Sequence, residues 1–222
     1  MPAPEALIFD MDQTLVDSAP IWRGGVLALF RFLEKTCTPE IAAHFAGLNI
    51  YDIASKAVEL TGAPVDIKEA QRIAHDALVE RYRQGQVTEM PGAAALVERL
   101  HGLAPLIVAS GSPLEGIARA TEQLQIRSKF TELLSSESVP RGKPHPDVFL
   151  KAAALVGANP QRCLVFEDSV VGAQAARAAG MACFVVPSCA PALLEPLATR
   201  IFGHWDEVSW ELASKAEPKT WD

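Results

Sequence analysis

The sequence predicts an α/β protein, a doubly wound parallel sheet interrupted by a small all-helical insertion. Three observations lead there. Four short apolar runs are continuous rather than alternating, as strands covered on both faces require. From residue 90 onward, segments of helical period separate these runs, and strand–helix alternation builds parallel sheets. Residues 18–86 break that rhythm, with helical patterns and no convincing strand.

The elements follow in chain order. ALIFD (6–10) is the first strand. Three helical patterns come next: IWRGGVLALFRFLEK, DIASKAVELTG and DIKEAQRIAHDALVERYRQ. The chain crosses between the two regions near 16–18 and 86–90, which predicts a paired hinge. PGAAALVERLHG (91–102) opens with Pro-Gly and stops at Gly, suiting helix start and stop chemistry. PLIVAS (105–110), RCLVFED (162–168) and ACFVVP (182–187) are the other strong strands, and ELLSS (132–136) is a weaker one. PLEGIARATEQLQI, HPDVFLKAAALVG and SVVGAQAARAAG supply the helices between them, the last rich in small residues that allow close packing. The expected domains are 1–17 with 87–222 as the core, and 18–86 as the insertion. The C-terminal AEPKTWD is expected to fray unless Trp221 docks.

Composition bounds the function. Hydrophobic residues make up 49% and charged ones 21%, ordinary for a globular chain of 222 residues, and the formal net charge is −7. No concentrated Lys/Arg surface suggests a nucleic-acid partner. No apolar run approaches the roughly 20 residues needed to cross a bilayer, and no signal-peptide pattern opens the chain. A cytoplasmic monomer is expected. Cys37, Cys163, Cys183 and Cys189 lack metal-ligand spacing and read as reduced thiols.

Polar residues gather where predicted strands end. Asp10, Asp12 and Thr14 follow the first; Ser110, Gly111 and Ser112 the second; Glu167, Asp168 and Ser169 the fourth; Lys143 lies just before a helix. In a parallel sheet these ends share one edge and can converge on one cleft. Each alone has a plainer reading, as a turn, a helix cap or a solvated lysine. Their joint, ordered placement favours chemistry on a phosphate monoester. Asp10 as nucleophile would meet an anion, and at about 4 Å and an effective dielectric near 20 each pair of unit charges repels by about 4 kcal/mol. Mg²⁺ held by carboxylates, together with Lys143, would offset that. Ser110 and the Gly111 amide would bind phosphoryl oxygens, and Asp12 would move the proton. His145, between two prolines, reads as structural.

These segments resemble the haloacid dehalogenase superfamily, in the branch with a helical cap after the first strand that includes sugar-phosphate phosphatases and β-phosphoglucomutase. FDMDQT, VASGS, GKPHPDVF and FEDSVVGAQAARAAGM match its four motifs over essentially the whole chain. The resemblance implies a Rossmann-like core and a Mg²⁺-dependent phosphoaspartate mechanism. It makes Asp10 the nucleophile and Asp12 the general acid/base. Asp10, the Asp12 backbone carbonyl and Asp168 would hold Mg²⁺, with Glu167 beside them, while Ser110 and Lys143 would grip the phosphate. Gln13 stands where the family usually has Gly; it avoids strain only with a negative φ or where the site tolerates about 1 kcal/mol, and the expectation is a shifted or polar-lined turn with the aspartates retained. Trp22 and Pro113 stand where the mutases carry His and a basic residue, and GLNIYD lacks a cap cation. The substrate implied is a small phosphorylated metabolite such as a sugar or polyol phosphate, with Trp22, Arg23 and Asn49 of the cap facing the leaving group. The rivals are a phosphomutase on the same fold and a phosphoryl-accepting receiver module, which is shorter and has no helical insertion.

Overall fold

A computed structural model describes residues 3–45, 48–85, 87–213 and 215–216 of the chain. Its order is β1 (Ala6–Phe9), β2 (Val16–Asp17), α1 (Ala19–Phe32), α2 (Pro39–Ala43), α3 (Ile50–Thr61), α4 (Ile67–Gln84), β3 (Thr88–Glu89), α5 (Ala93–Leu100), β4 (Leu106–Ser110), α6 (Leu114–Gln123), β5 (Glu132–Ser135), α7 (Asp147–Leu155), β6 (Cys163–Glu167), α8 (Val170–Ala178), β7 (Ala182–Val185), β8 (Arg200–Ile201) and α9 (Trp210–Ala213). Trp221 lies outside the described residues.

Six strands form one sheet in the order β5-β4-β1-β6-β7-β8, every pairing parallel. This is the doubly wound α/β architecture expected. β1 lies between β4 and β6, and its four residues are fully buried. The two-residue side-chain period sorts them. Leu7 and Phe9 join one core with Val108, Phe166 and Phe184, beneath α5 and α6. Ala6 and Ile8 join another with Ala109, Val165 and Val185, beneath α7 and α8. Phe9 stacks on Phe166 at 4.4 Å between ring centroids, tying the two central strands where both approach the site.

Helices α1–α4 lie between β2 and β3, which pair antiparallel as Val16↔Glu89 and Asp17↔Thr88. Capping sets the α3 and α4 boundaries: Asn49 accepts from the Asp52 amide, and Asp66 from the Lys68 and Glu69 amides. Their apolar faces continue the same core as Leu7 and Phe9, through Leu29, Ile53, Ala74, Leu78 and Tyr82. Five elements had no sequence signal. β2, β3 and β8 are two residues each, α2 has five and α9 four, too short to display a period. No helix among the described residues is long and apolar enough to cross a membrane. All four cysteines are free thiols.

Candidate active site

The carboxyl ends of β1, β4 and β6 meet at one edge. β1 delivers Asp10, whose amide extends the ladder by donating to the Phe166 carbonyl at 2.9 Å. The chain then turns sharply. The Met11 carbonyl accepts from the amides of Thr14, Leu15 and Val16, and the Gln13 amide donates to the Val16 carbonyl at 2.7 Å. Gln13 adopts φ +62°, the left-handed conformation natural to Gly, at a cost of about 1 kcal/mol for a residue with a Cβ. The turn is therefore strained rather than shifted. It is also polar-lined, because the Gln13 side-chain amide donates to Asp17 at 3.0 Å. Thr14 is buried, and its carbonyl accepts the Trp205 indole N–H at 3.0 Å, which pins the turn from the far side.

Asp10 sits among charges. Lys143 donates to Asp10 Oδ1 and to Glu167 Oε1, each at 2.6 Å, with all three side chains buried. The other Glu167 oxygen accepts from the Asp168 amide, the Ser169 amide and the Ser169 hydroxyl, each at 2.9 Å. Glu167 is thus an anchor that fixes Lys143 and the first turn before α8. Its place depends on Gly172, since a Cβ there would come within 1.7 Å of Glu167 Oε1.

The electrostatics follow from crowding. Burial raises the Asp10 carboxyl to about 8, with Glu167 and Asp12 adding to the rise and Lys143 opposing it. Burial, and next the Glu167 and Asp10 carboxylates, push Asp168 well above its ordinary value. Burial would lower Lys143, but Asp10 and Glu167 outweigh it and hold the ammonium above its usual value. Burial would likewise raise Glu167, yet Lys143 and two backbone amides bring it below the usual carboxylate range.

A cation fits here. Asp10, Glu167 and Asp168 each offer an oxygen within 4.8 Å of the others, all three are buried, and the one ammonium among them, Lys143, is bonded to only two of the three. A hard oxygen-only donor set with residual negative charge suits Mg²⁺ rather than a softer metal.

Asp12, two residues on, meets only neutral donors. Its Oδ1 accepts from the Trp22 indole at 2.8 Å and the Tyr82 hydroxyl at 2.9 Å. Its Oδ2 accepts from the Ser110 and Ser112 hydroxyls, each at 2.8 Å. Two of these donors come from α1 and α4 and two from the end of β4, so Asp12 joins the helical segment to the sheet. Burial, and next the Asp12 carboxylate, push the Tyr82 phenol well above its ordinary value, so it stays a donor.

A cavity of about 500 Å³ opens over these groups, lined by Asp10, Asp12, Gly111, Lys143, Glu167 and Asp168 among others. Trp22 and Asn49 line it too. The Asn49 amide is engaged with Asp52, donating to Oδ2 at 2.7 Å and accepting from N at 2.9 Å. Arg23 does not line it and is exposed: successive helical residues point about 100° apart, so placing Trp22 on the cavity side turns Arg23 to solvent. Ser110, expected against phosphate, is fully buried with its hydroxyl donated to Asp12.

Sequence reasoning missed Tyr82 and Ser136. Tyr82 looks like one more apolar-face residue of α4, and only the fold brings it to Asp12. Ser136 follows β5, buried and with an unpartnered hydroxyl, in a run that carries no motif.

The fold and this constellation define a hydrolase of the haloacid dehalogenase class. The family model described as haloacid dehalogenase-like hydrolase matches residues 4–180, and the chain belongs to that family. It is 31% identical to 6-phosphogluconate phosphatase of Escherichia coli, covering 81% of each chain. It is 33% identical to hexitol phosphatase B of the same organism, covering 82% of this chain and 83% of that one. The fold is shared with β-phosphoglucomutase of Clostridium difficile at a TM-score of 0.81 and 19% identity, over 94% of each chain.

Proposed function

We propose that this hydrolase is a Mg²⁺-dependent phosphatase that cleaves a small phosphorylated metabolite through a phosphoaspartate at Asp10. The observation that carries the reading is the pair of carboxylates in one turn, Asp10 bonded to a buried ammonium and Asp12 to neutral donors alone. Such separation of environments is how one site divides nucleophilic from acid–base work. The names of its relatives, phosphatases of 6-phosphogluconate and of hexitol phosphates, support the same reaction class.

In the first step a carboxylate oxygen of Asp10 bonds to phosphorus as the ester P–O bond breaks, and Asp12 gives its proton to the departing alkoxide. In the second, Asp12 takes a proton from water. The water oxygen bonds to phosphorus and the acyl-phosphate P–O bond breaks, returning Asp10 and releasing inorganic phosphate. Lys143 stays cationic throughout and faces the oxygens that carry the transferred charge. Asp10, Asp168 and the Asp12 backbone carbonyl would hold Mg²⁺, with Glu167 beside them, and the ion supplies further positive charge at the phosphoryl group. Residues 18–86 act as a cap on the core formed by 1–17 and 87–222, excluding water from the reacting phosphate.

A screen of phosphorylated metabolites, with Mg²⁺ added and then chelated, tests this. Phosphate release is expected only with the ion and is expected to vanish in Asp10→Asn. Ion-independent release, or an active Asp10→Asn protein, would refute it.

A further inference from the structure

The family match ends at residue 180, but the chain continues through β7, β8 and α9. Within that continuation Trp205 is buried, and it reaches back to the turn that carries the aspartates. Its indole N–H donates to the Thr14 carbonyl at 3.0 Å across 191 positions of sequence. Its ring meets Phe166 edge-on, 5.9 Å between centroids. Phe166 stacks on Phe9, and its carbonyl accepts the Asp10 amide. One side chain therefore backs both β6, which leads to Asp168, and the turn that holds Asp12.

The segment around Trp205 is itself fixed. Arg99 of α5 donates to the Trp205 carbonyl at 2.9 Å and to the Val208 carbonyl at 3.5 Å. Gly92, just before α5, lies so close that a Cβ there would come within 2.8 Å of His204 Cε1. Thr14 precedes β2 and Gly92 follows β3, so the segment braces the core beside both crossings to the helical insertion.

The bond matters because of Gln13. At φ +62° the turn uses a conformation that a residue with a Cβ resists. Thr14 is fully buried, so no solvent replaces a lost donor at its carbonyl. Without the indole N–H, the unpaired carbonyl and the strained neighbour both favour rearrangement. Asp12, one residue before Gln13, would then move against its four donors. A purely apolar ring could fill the core beside Phe166; only the N–H addresses the turn.

We propose that Trp205 is a positioning residue for Asp12, holding the Gln13 turn in its left-handed conformation through the Thr14 carbonyl. This rests on the phosphatase reading and adds the C-terminal segment to the working parts of that site.

A double-mutant cycle between Trp205→Phe and Gln13→Gly tests this, read by steady-state kinetics on glycerol 2-phosphate with Mg²⁺, well below every variant's Tm. Trp205→Phe is expected to lower kcat at least fivefold while KM stays within twofold of wild type. Gly adopts the left-handed conformation without strain, so in the Gln13→Gly background the same substitution is expected to lower kcat less than twofold. An equal loss in both backgrounds would make Trp205 a packing residue and overturn the proposal, as would an unchanged kcat in Trp205→Phe. Should Trp205→Phe fail to fold, Arg99→Met takes its place, since it loosens the Trp205 backbone at a partly exposed position and keeps the indole. It is expected to lower kcat at least twofold in the Gln13 protein and not in Gln13→Gly, and equal behaviour in the two overturns the proposal. Wild-type turnover alongside either failure leaves the phosphatase reading standing. Absence of release by wild type from glycerol 2-phosphate and from p-nitrophenyl phosphate, with Asp10→Asn indistinguishable from it, would bring down both.

Discussion

Asp10 and Asp12 are separated by one residue, yet they occupy opposite electrostatic surroundings. Asp10 ends a buried strand and shares an ammonium with Glu167, with a third carboxylate alongside. Asp12 lies past the bend and accepts four neutral hydrogen bonds, two from helices and two from the sheet edge. The difference teaches how a single turn supplies two chemistries. The charged side raises the electrostatic stakes of a nucleophile and calls for a cation. The neutral side orients a proton carrier without neutralising it.

Among variants that keep the Asp10 nucleophile, breaking the Asp12 side outright should have the largest catalytic effect. Asp12→Asn removes the proton carrier and is expected to lower kcat by about 10²–10⁴-fold, read by steady-state kinetics on an alkyl phosphate. A thermal melt on the same protein would show whether the loss is chemical rather than structural.

The charged side is better broken by geometry. Gly172→Ala would force Glu167 off its seat and leave Lys143 with one of its two carboxylates. Disturbing a buried ion pair in this way should cost about 3 kcal/mol of stability, roughly 6–12 °C in Tm for a chain of this size, readable by calorimetry.

A finer cut tests whether the neutral donors act through Asp12. Tyr82→Phe deletes one donor in four and keeps the ring, which packs so tightly on Gly116 that a Cβ there would come within 2.7 Å of it. kcat for an alkyl ester should fall about tenfold, the equivalent of one hydrogen bond. The first-turnover burst with an aryl phosphate, whose leaving group needs no proton, should be nearly unchanged. Equal losses in both assays would make Tyr82 a packing residue only.

The smallest effect is expected away from both carboxylates. Arg83 donates to both oxygens of Glu115, at 2.6 and 2.8 Å, where the helical segment meets the core. Both side chains face solvent, which screens the pair, so Arg83→Ala should leave Tm within about 1 °C.

Much of this was legible in the chain because its signals are local. The apolar run before Asp10 predicts a buried strand, and the strand end predicts a site. Lys143 was legible through its neighbours, since GKPHPDVF places it before a helix. Arg23 shows the limit: adjacency to Trp22 in sequence says nothing of direction, and helical geometry turns it to solvent. Gln13 shows another. The sequence marks an unusual residue at a tight turn, but whether the turn shifts or strains depends on what holds it. Here the Met11 carbonyl and the Trp205 indole hold it in the left-handed conformation.

Strand and helix content, the sheet class and the acids at the strand ends were set by the sequence alone, because periodicity and turn chemistry act over a few residues. The four-donor cradle of Asp12, the Lys143 bridge between Asp10 and Glu167 and the cavity over both were decided only by tertiary structure. Each joins residues far apart in the chain, Tyr82 to Asp12 across 70 positions and Lys143 to Asp10 across 133. No local pattern encodes such a meeting, which arises when burial of the two cores brings these elements to one edge of the sheet.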